Sequence, residues 1–194
     1  MSDALFYSHI IAVTNRALCR RPFAEQIERV CRLRPRALIL REKDLEEAAY
    51  QALAAEVLAI CAQYRVPCVL HHFTEAARNL GVRRLHLPLR QLEDAGGAAG
   101  LGTFDLLGAS VHSAEEARRA QELGASYVTA GHIYATDCKK GQPPRGTGFL
   151  REVCGAVRIP VYAIGGIRAE ETVLREMLDC GAAGACIMSG LMII

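Results

Sequence analysis

The chain has 194 residues, of which 51% are hydrophobic and 23% charged, and its formal net charge is +2. This is enough for one well-cored domain, and no linker-like stretch marks a second, so a single domain over residues 1–194 is expected. The near-neutral charge gives no bulk attraction to nucleic acid, the apolar runs are too short for a membrane span, and Met1-Ser2-Asp3-Ala4 lacks a signal-peptide pattern, so a cytoplasmic protein is expected.

The elements alternate along the chain. His9–Thr14 reads as a first strand, and Phe23–Leu33 has apolar residues at roughly helical spacing. Arg36–Leu40 is a strand-length apolar run closed by Arg41-Glu42-Lys43-Asp44, and Leu45–Tyr64 is rich in strong helix formers. Val66–Leu70 reads as a third strand ending in His71-His72. A short helix over Thr74–Leu80 follows, with Thr74 as its expected N-cap. Val82–Leu87 is a fourth strand, and residues 89–103 read as a loop because of Gly96-Gly97-Ala98-Ala99-Gly100. Asp105–His112 is a fifth strand, and Ser113-Ala114-Glu115-Glu116 opens a helix with a serine cap and acids in its first turn. Ser126–Ala130 is a sixth strand and Phe149–Cys154 a helix. Ile159–Ile164 is a seventh strand, Ala169–Leu178 a helix, and Gly184–Met188 an eighth strand. The strands are apolar throughout rather than alternating, as in a parallel sheet buried on both faces. Eight strand–helix alternations point to an α/β fold, a single (β/α)₈ TIM barrel, with too few residues after the eighth strand for a full last helix.

The eight cysteines, Cys19, Cys31, Cys61, Cys68, Cys138, Cys154, Cys180 and Cys186, form no C-x-x-C pair. Most lie in apolar runs, so they are expected to be small buried hydrophobes rather than disulfides or zinc ligands.

In such barrels the chemistry sits at the C-terminal ends of the strands. This gathers Arg41 and Lys43 after strand two, His71 and His72 after strand three, Ser110 and His112 after strand five, and His132 and Lys139 after strand six. Gly165 and Gly166 follow strand seven, and Ser189 follows strand eight. The link Gly131–Gly146 is long and polar, and it places His132 at the end of an apolar strand, followed by Thr136, Asp137, Cys138, Lys139 and Lys140. An imidazole above a cationic loop suggests proton transfer on an anionic substrate. Gly165-Gly166 and Met188-Ser189-Gly190 suggest a phosphate site, since barrels often bind phosphate after strands seven and eight on backbone N–H groups and a helix N-terminus. No pair of acids is well placed for a metal, and Glu42 and Asp44 are expected to orient Arg41 and Lys43 or to be solvated.

Arg41-Glu42-Lys43-Asp44, Gly108-Ala109-Ser110-Val111-His112-Ser113, the Thr136 loop, Ala163-Ile164-Gly165-Gly166-Ile167 and Met188-Ser189-Gly190 occur in the order found in the thiamine phosphate synthase superfamily, which the chain resembles over nearly its whole length. The loop from Gly131-His132 through Thr136 to Gly146 more closely resembles the TenI-type thiazole tautomerase branch, where a histidine replaces the proline that synthases tend to carry. Synthases join a pyrimidine diphosphate to a thiazole phosphate with magnesium, and usually show an Asn-Asp pair after strand three and an Asp near a His-Leu-Gly-Gln stretch after strand four. Here these stretches read His71-His72 and His86-Leu87-Pro88-Leu89-Arg90, with Glu75 nearby and Ile39 where a Gln is common. The resemblance thus implies a tautomerase without cofactor or metal, aromatising a thiazole carboxylate phosphate with His132 as acid and base. It assigns Gly165, Gly166, Met188 and Ser189 to the phosphate, with Thr136 and Cys138 closing from the loop. Lys139 or Arg41 would face the carboxylate, and Lys43 and Ser110 would line the site. The alternatives are a magnesium-dependent thiamine phosphate synthase and a non-catalytic thiazole-phosphate-binding or regulatory protein. The expected partner is this small molecule, with no nucleic acid and no membrane, and a homodimer is one expected assembly.

Overall fold

The computed structural model describes residues 1–136 and 141–194. Its strands are β1 (Ile10–Val13), β2 (Ala37–Leu40), β3 (Cys68–His71), β4 (Arg84–Pro88), β5 (Leu106–Val111), β6 (Tyr127–Gly131), β7 (Val161–Ile164) and β8 (Gly184–Ile187). They form a closed barrel in sequence order. The pairings are parallel, for example Val13 with Ile39 and Gly131 with Ile164. Every residue of β1, β3, β6 and β8 is buried, which explains why these strands read as continuous apolar runs. The (β/α)₈ barrel expected from the alternation is the observed fold.

The helices are α1 (Asp3–Ser8), α2 (Phe23–Arg32), α3 (Glu47–Tyr64), α4 (Thr74–Asn79), α5 (Leu89–Asp94), α6 (Gly97–Leu101), α7 (Ala114–Glu122), α8 (Gly146–Ala156), α9 (Glu171–Asp179) and α10 (Ser189–Met192), with a 3₁₀ turn at Arg16–Leu18. None of them among the described residues is long and apolar enough to cross a membrane. Helix α1 went unread in the sequence, where six residues carry too little periodicity; Ser2 caps it by accepting from the Leu5 amide. The stretch read as a loop over 89–103 instead holds α5 and α6. Leu92 and Leu101 are buried there, and such tertiary anchoring overrides the poor helix propensity of the glycines. Thr74 is the first residue of α4 rather than its cap. The carboxylate of Glu47, from α3, accepts from the Ala76 amide at 3.0 Å and serves that helix end across the chain. Ser113 does cap α7, accepting from Glu116 N at 3.0 Å. The element after β8 is the single four-residue turn α10.

By its contacts the chain divides into two compact units, residues 1–86 with 188–194, and residues 87–187. In the first, Ile10, Leu38, Leu40, Leu70 and Leu85 are fully buried, and Gln26 of α2 donates to the carbonyl of Leu191 in α10 at 2.7 Å. In the second, Val128, Ala130, Leu150 and Leu174 are among the fully buried side chains. The described cysteines are free thiols: Cys31, Cys61, Cys68, Cys180 and Cys186 are buried, while Cys19 and Cys154 are half-buried. Burial pushes the Cys154 thiol up to about 11, as expected of an inert apolar filler. Cys138 lies outside the described residues.

Tyr50 of α3 ties the ends of β2 and β3 together. Its hydroxyl donates to Leu40 O at 2.7 Å and accepts from His71 N at 2.9 Å, so the ladder continues one step beyond the strand pairing. Tyr50→Phe removes both bonds from a fully buried position. It should lower stability by about 1–3 kcal/mol, read as a reduced urea midpoint with an unchanged slope.

Candidate active site

In residues 87–187 the centre is His132, which directly follows β6 and is 7% exposed. The Gly131–His132 peptide is cis. The ring Nε2 lies 3.4 Å from Gln142 O. A carbonyl can only accept, so this contact puts the proton on Nε2 and leaves the lone pair of the neutral ring on Nδ1. The loop that His132 begins is stapled at its neck. Arg145 N donates to His132 O and Gly146 N to Ile133 O, both at 3.0 Å. Its first residues continue the sheet toward β7, with Ile133 N donating to Ile164 O and Tyr134 N to Gly165 O, again at 3.0 Å.

Gly165 and Gly166 are what this approach requires. A Cβ at Gly165 would fall 2.3 Å from the Cβ of His132, and one at Gly166 would fall 2.5 Å from Ala135 O. Both residues also have positive φ, 97° and 68°. The glycine pair read from sequence as an anion cradle is thus also the seat on which the His132 backbone rests. The helix that follows it in the chain, α9, starts only at Glu171.

Two further groups hold this region and were not assigned roles from sequence. His112 Nδ1 lies 2.8 Å from Gly131 O, so its N–H fixes the carbonyl immediately before His132. The Tyr134 hydroxyl donates to Glu176 of α9, and burial with this nearby carboxylate raises the phenol to about 12. The partners are 42 residues apart in sequence, and no local pattern could have linked them. Ser110 is half-buried and accepts from Thr129 Oγ1 at 3.4 Å. Thr136 is half-buried in the loop. Cys138, expected to close over the ligand, and Lys139, expected with Arg41 as a candidate for the carboxylate, lie outside the described residues.

In residues 1–86 with 188–194 the acids do something other than expected. Glu42 is 2% exposed and accepts from Thr14 Oγ1 at 2.6 Å, from the Arg16 amide at 3.1 Å and from Arg16 Nη1 at 3.2 Å. Asp44 binds the same guanidinium, with Oδ1 2.8 Å from Nη1. Both acids therefore lock the segment after β1 to the segment after β2; Glu42 does so from a buried position, whereas Asp44 stays exposed to solvent, as the sequence allowed. Arg41 is half-buried, and its amide donates to Thr14 Oγ1 at 2.9 Å; Lys43 is exposed. His71 and His86 stack with ring centroids 5.8 Å apart, and His72 lies 6.1 Å from His71. Burial pushes the His71 imidazole down to about 2, helped by His86, Lys43, Arg41 and His72, and pushes His86 down to about 3, helped by Lys43. Met188 precedes α10 and Ser189 is its first residue; a helix of four residues supplies little macrodipole, so any anion there would rely on individual amides and the hydroxyl.

A protein-family model described as thiamine monophosphate synthase, TMP-TENI, matches residues 10–191. The chain belongs to this family. A putative thiamine-phosphate synthase 2 of Aquifex aeolicus is 32% identical over 162 residues, covering 84% of this chain and 87% of that protein. Thiamine-phosphate synthase 2 of Streptococcus pneumoniae is 29% identical over 170 residues, covering 88% and 80%. The solved structure of a thiamine phosphate pyrophosphorylase from Pyrococcus furiosus superposes with a TM-score of 0.78 at 25% identity, covering 97% of this chain and 89% of that one. TMP-TENI is an enzyme family of thiamine biosynthesis.

The magnesium that the synthase resemblance implies can be tested on the donors present. Magnesium takes oxygen ligands in a strict geometry. At the ends of β3 and β4 this TMP-TENI member carries the imidazoles His71, His72 and His86, with Arg41 and Lys43 close enough to depress one or both of the buried rings. The nearby acids are engaged elsewhere: Glu42 with Thr14 and Arg16, Asp44 with Arg16, and Glu75 with Arg78. These residues do not fit a magnesium-bound diphosphate. Arg90 is a solvent-facing residue of α5 beside Asp94 at 3.9 Å.

Gly165→Ala should destabilise the fold by more than about 2 kcal/mol, combining a strained φ with the clash against His132, measured by urea unfolding. The buried imidazoles also set an acid limit. Both have folded pKa values below the unfolded value of about 6.5. From there down to about pH 3 the unfolded chain takes up protons that the folded chain refuses. Stability should therefore fall with falling pH by up to about 1.4 kcal/mol per unit for each ring. His86→Gln should flatten that slope between pH 6 and 4, whatever it does to stability at pH 7.

Proposed function

We propose that this protein is a thiazole tautomerase. It would convert 2-carboxy-4-methylthiazol-5-ylidene ethyl phosphate to the aromatic carboxythiazole phosphate, with no metal or other cofactor. The observation that carries the reading is His132, a buried imidazole at the end of β6 whose Nε2 faces a carbonyl, so that Nδ1 is the basic nitrogen. The reaction is an isomerisation and its proton count closes. Nδ1 takes the proton from the ring carbon that bears the carboxylate. The C–H electron pair forms a new ring C=N bond, the old C=N pair becomes the ring C=C, and the ylidene pair takes a proton at the exocyclic carbon. The imidazolium returns the proton it removed, so one group serves as base and then acid, a task suited to imidazole near neutral pH.

Gly165, Gly166, the Met188 backbone and Ser189 hold the phosphate in this reading. Thr136 and Cys138 close from the loop, Arg41 or Lys139 faces the carboxylate, and Lys43 and Ser110 line the site. The imidazoles at the ends of β3 and β4 support a site without a diphosphate half, since they suit neither magnesium nor a metal-bound anion. The names of the relatives favour a second reading, thiamine phosphate synthase, which would require magnesium-dependent pyrophosphate release from the pyrimidine diphosphate.

The test is conversion of the thiazole tautomer, followed by NMR in EDTA. The wild-type protein should accelerate it, and His132→Ala should lose about 10²–10⁴-fold in rate while still binding the aromatic product. Equal rates in the two proteins remove His132 from the mechanism. No conversion, with pyrophosphate released once magnesium and both synthase substrates are supplied, establishes the synthase. Binding without either turnover leaves a thiazole-phosphate-binding protein.

A further inference from the structure

We infer that the opposite ends of β2 and β3 carry a separate site for a small molecule bearing a chain of phosphates. The inference is independent of the tautomerase reading. A cleft of about 580 Å³ opens where α2 runs into β2 and α3 runs into β3. That size falls within the range of about 300–1,000 Å³ typical of small-molecule sites. Arg34, Arg36 and Arg65 line it together with Gln63 and Tyr64, and no acid is among the lining residues. All three arginines are exposed, and among the described residues none of them makes an ion pair.

Helix-end electrostatics account for only part of this charge. Arg65 caps α3, and Arg34 lies just beyond the cap of α2, where cations offset the carbonyl end of a helix. Two helix C-termini amount to about −0.5 each, about −1 in total, against three guanidinium charges, which leaves about +2 in the cleft. The backbone that presents them is fixed. Arg34 N donates to Cys31 O at 2.9 Å and Arg65 N to Ala62 O at 3.1 Å, both residues in the left-handed region at φ 55° and 57°. Arg36 N donates to Ile10 O at 2.9 Å. Planar forks on a rigid frame suit phosphate oxygens taken two at a time, and three such forks suit a chain of phosphates better than a single one. The Tyr64 hydroxyl accepts from Arg32 Nε at 3.3 Å, which holds an aromatic ring at the cleft wall where a base could stack. Inorganic polyphosphate and a nucleoside polyphosphate share the chemistry that the arginines recognise.

Isothermal titration at low salt with tripolyphosphate, and separately with ATP, tests the site. Tripolyphosphate should bind, with affinity falling steeply as NaCl is raised. Arg34→Asn, Arg65→Asn and Arg36→Gln should each weaken it about tenfold; asparagine tolerates the left-handed backbone at the first two positions. The triple variant should lose binding while its unfolding temperature without ligand stays unchanged, and His132→Ala should bind as the wild type does. Equal affinities for the two probes support the phosphate chain alone as the recognised group. Tighter ATP binding that is lost in Tyr64→Ala supports a nucleoside polyphosphate. Absence of binding by both probes, or binding that survives the triple substitution, overturns the inference.

Discussion

The geometry around His132 depends on one close approach, that of the residues leaving β6 to those leaving β7. Ile133 and Tyr134 extend the parallel ladder onto Ile164 O and Gly165 O, and the chain at 165–166 has no room for a Cβ at either position. A side chain there would force the strands' exits apart and take the His132 ring with them. The same contact explains why a long loop can leave and return at a fixed point. Its neck is closed by the amides of Arg145 and Gly146, and the far side is moored through Tyr134 to Glu176. Rigid positioning of a base is itself a catalytic asset, since small displacements from an attack geometry are costly in rate.

The polar residues of the 1–86 and 188–194 unit divide into those consumed by the architecture and those left for chemistry. Glu42 is buried and fully engaged by Thr14 and Arg16, which makes it a fastener of two strand exits. A buried carboxylate is tolerable only with such a set of donors. His71 and His86 are kept neutral by burial and by the cations beside them, so they offer hydrogen-bonding nitrogens without charge. A diphosphate–metal group needs the reverse arrangement, oxygen ligands carrying negative charge. The departure from the synthase pattern is therefore a change in electrostatic sign and ligand type, not merely of residue names.

Strands β2 and β3 carry cations at both ends. Arg41 and Lys43 follow β2 at its C-terminal end, while Arg34, Arg36 and Arg65 precede β2 and β3. The two groups differ in what surrounds them. The first stands beside buried imidazoles and a spent carboxylate; the second frames an open cleft with no acid in its lining. In a barrel of this kind the first end is where chemistry is ordinarily built and the second is where stability is. The two helix ends offset only about one of the three guanidinium charges, none of which makes an ion pair among the described residues; the surplus of like charge is repulsive, and this is what marks the cleft as a binding surface.

The order of elements, the parallel sheet and the position of His132 at a strand end were legible in the sequence, because continuous apolar runs of strand length separated by helical periodicity have few other solutions. The Ser113 cap was legible for the same local reason. What the sequence could not carry were relations between distant residues: Glu47 serving the end of α4, Glu42 locked to Thr14 and Arg16, Tyr134 moored to Glu176, and His112 on the carbonyl before His132. Helices α5 and α6 escaped because Leu92 and Leu101 hold them from outside their own periodicity. The glycines at 165 and 166 read as a ligand cradle, and only the packed structure revealed that the neighbouring backbone already needs their missing side chains. Local patterns are set by the geometry of helix and strand and so are written in sequence spacing. Partner choice across the fold is decided by which surfaces burial brings into contact, and that exists only in three dimensions.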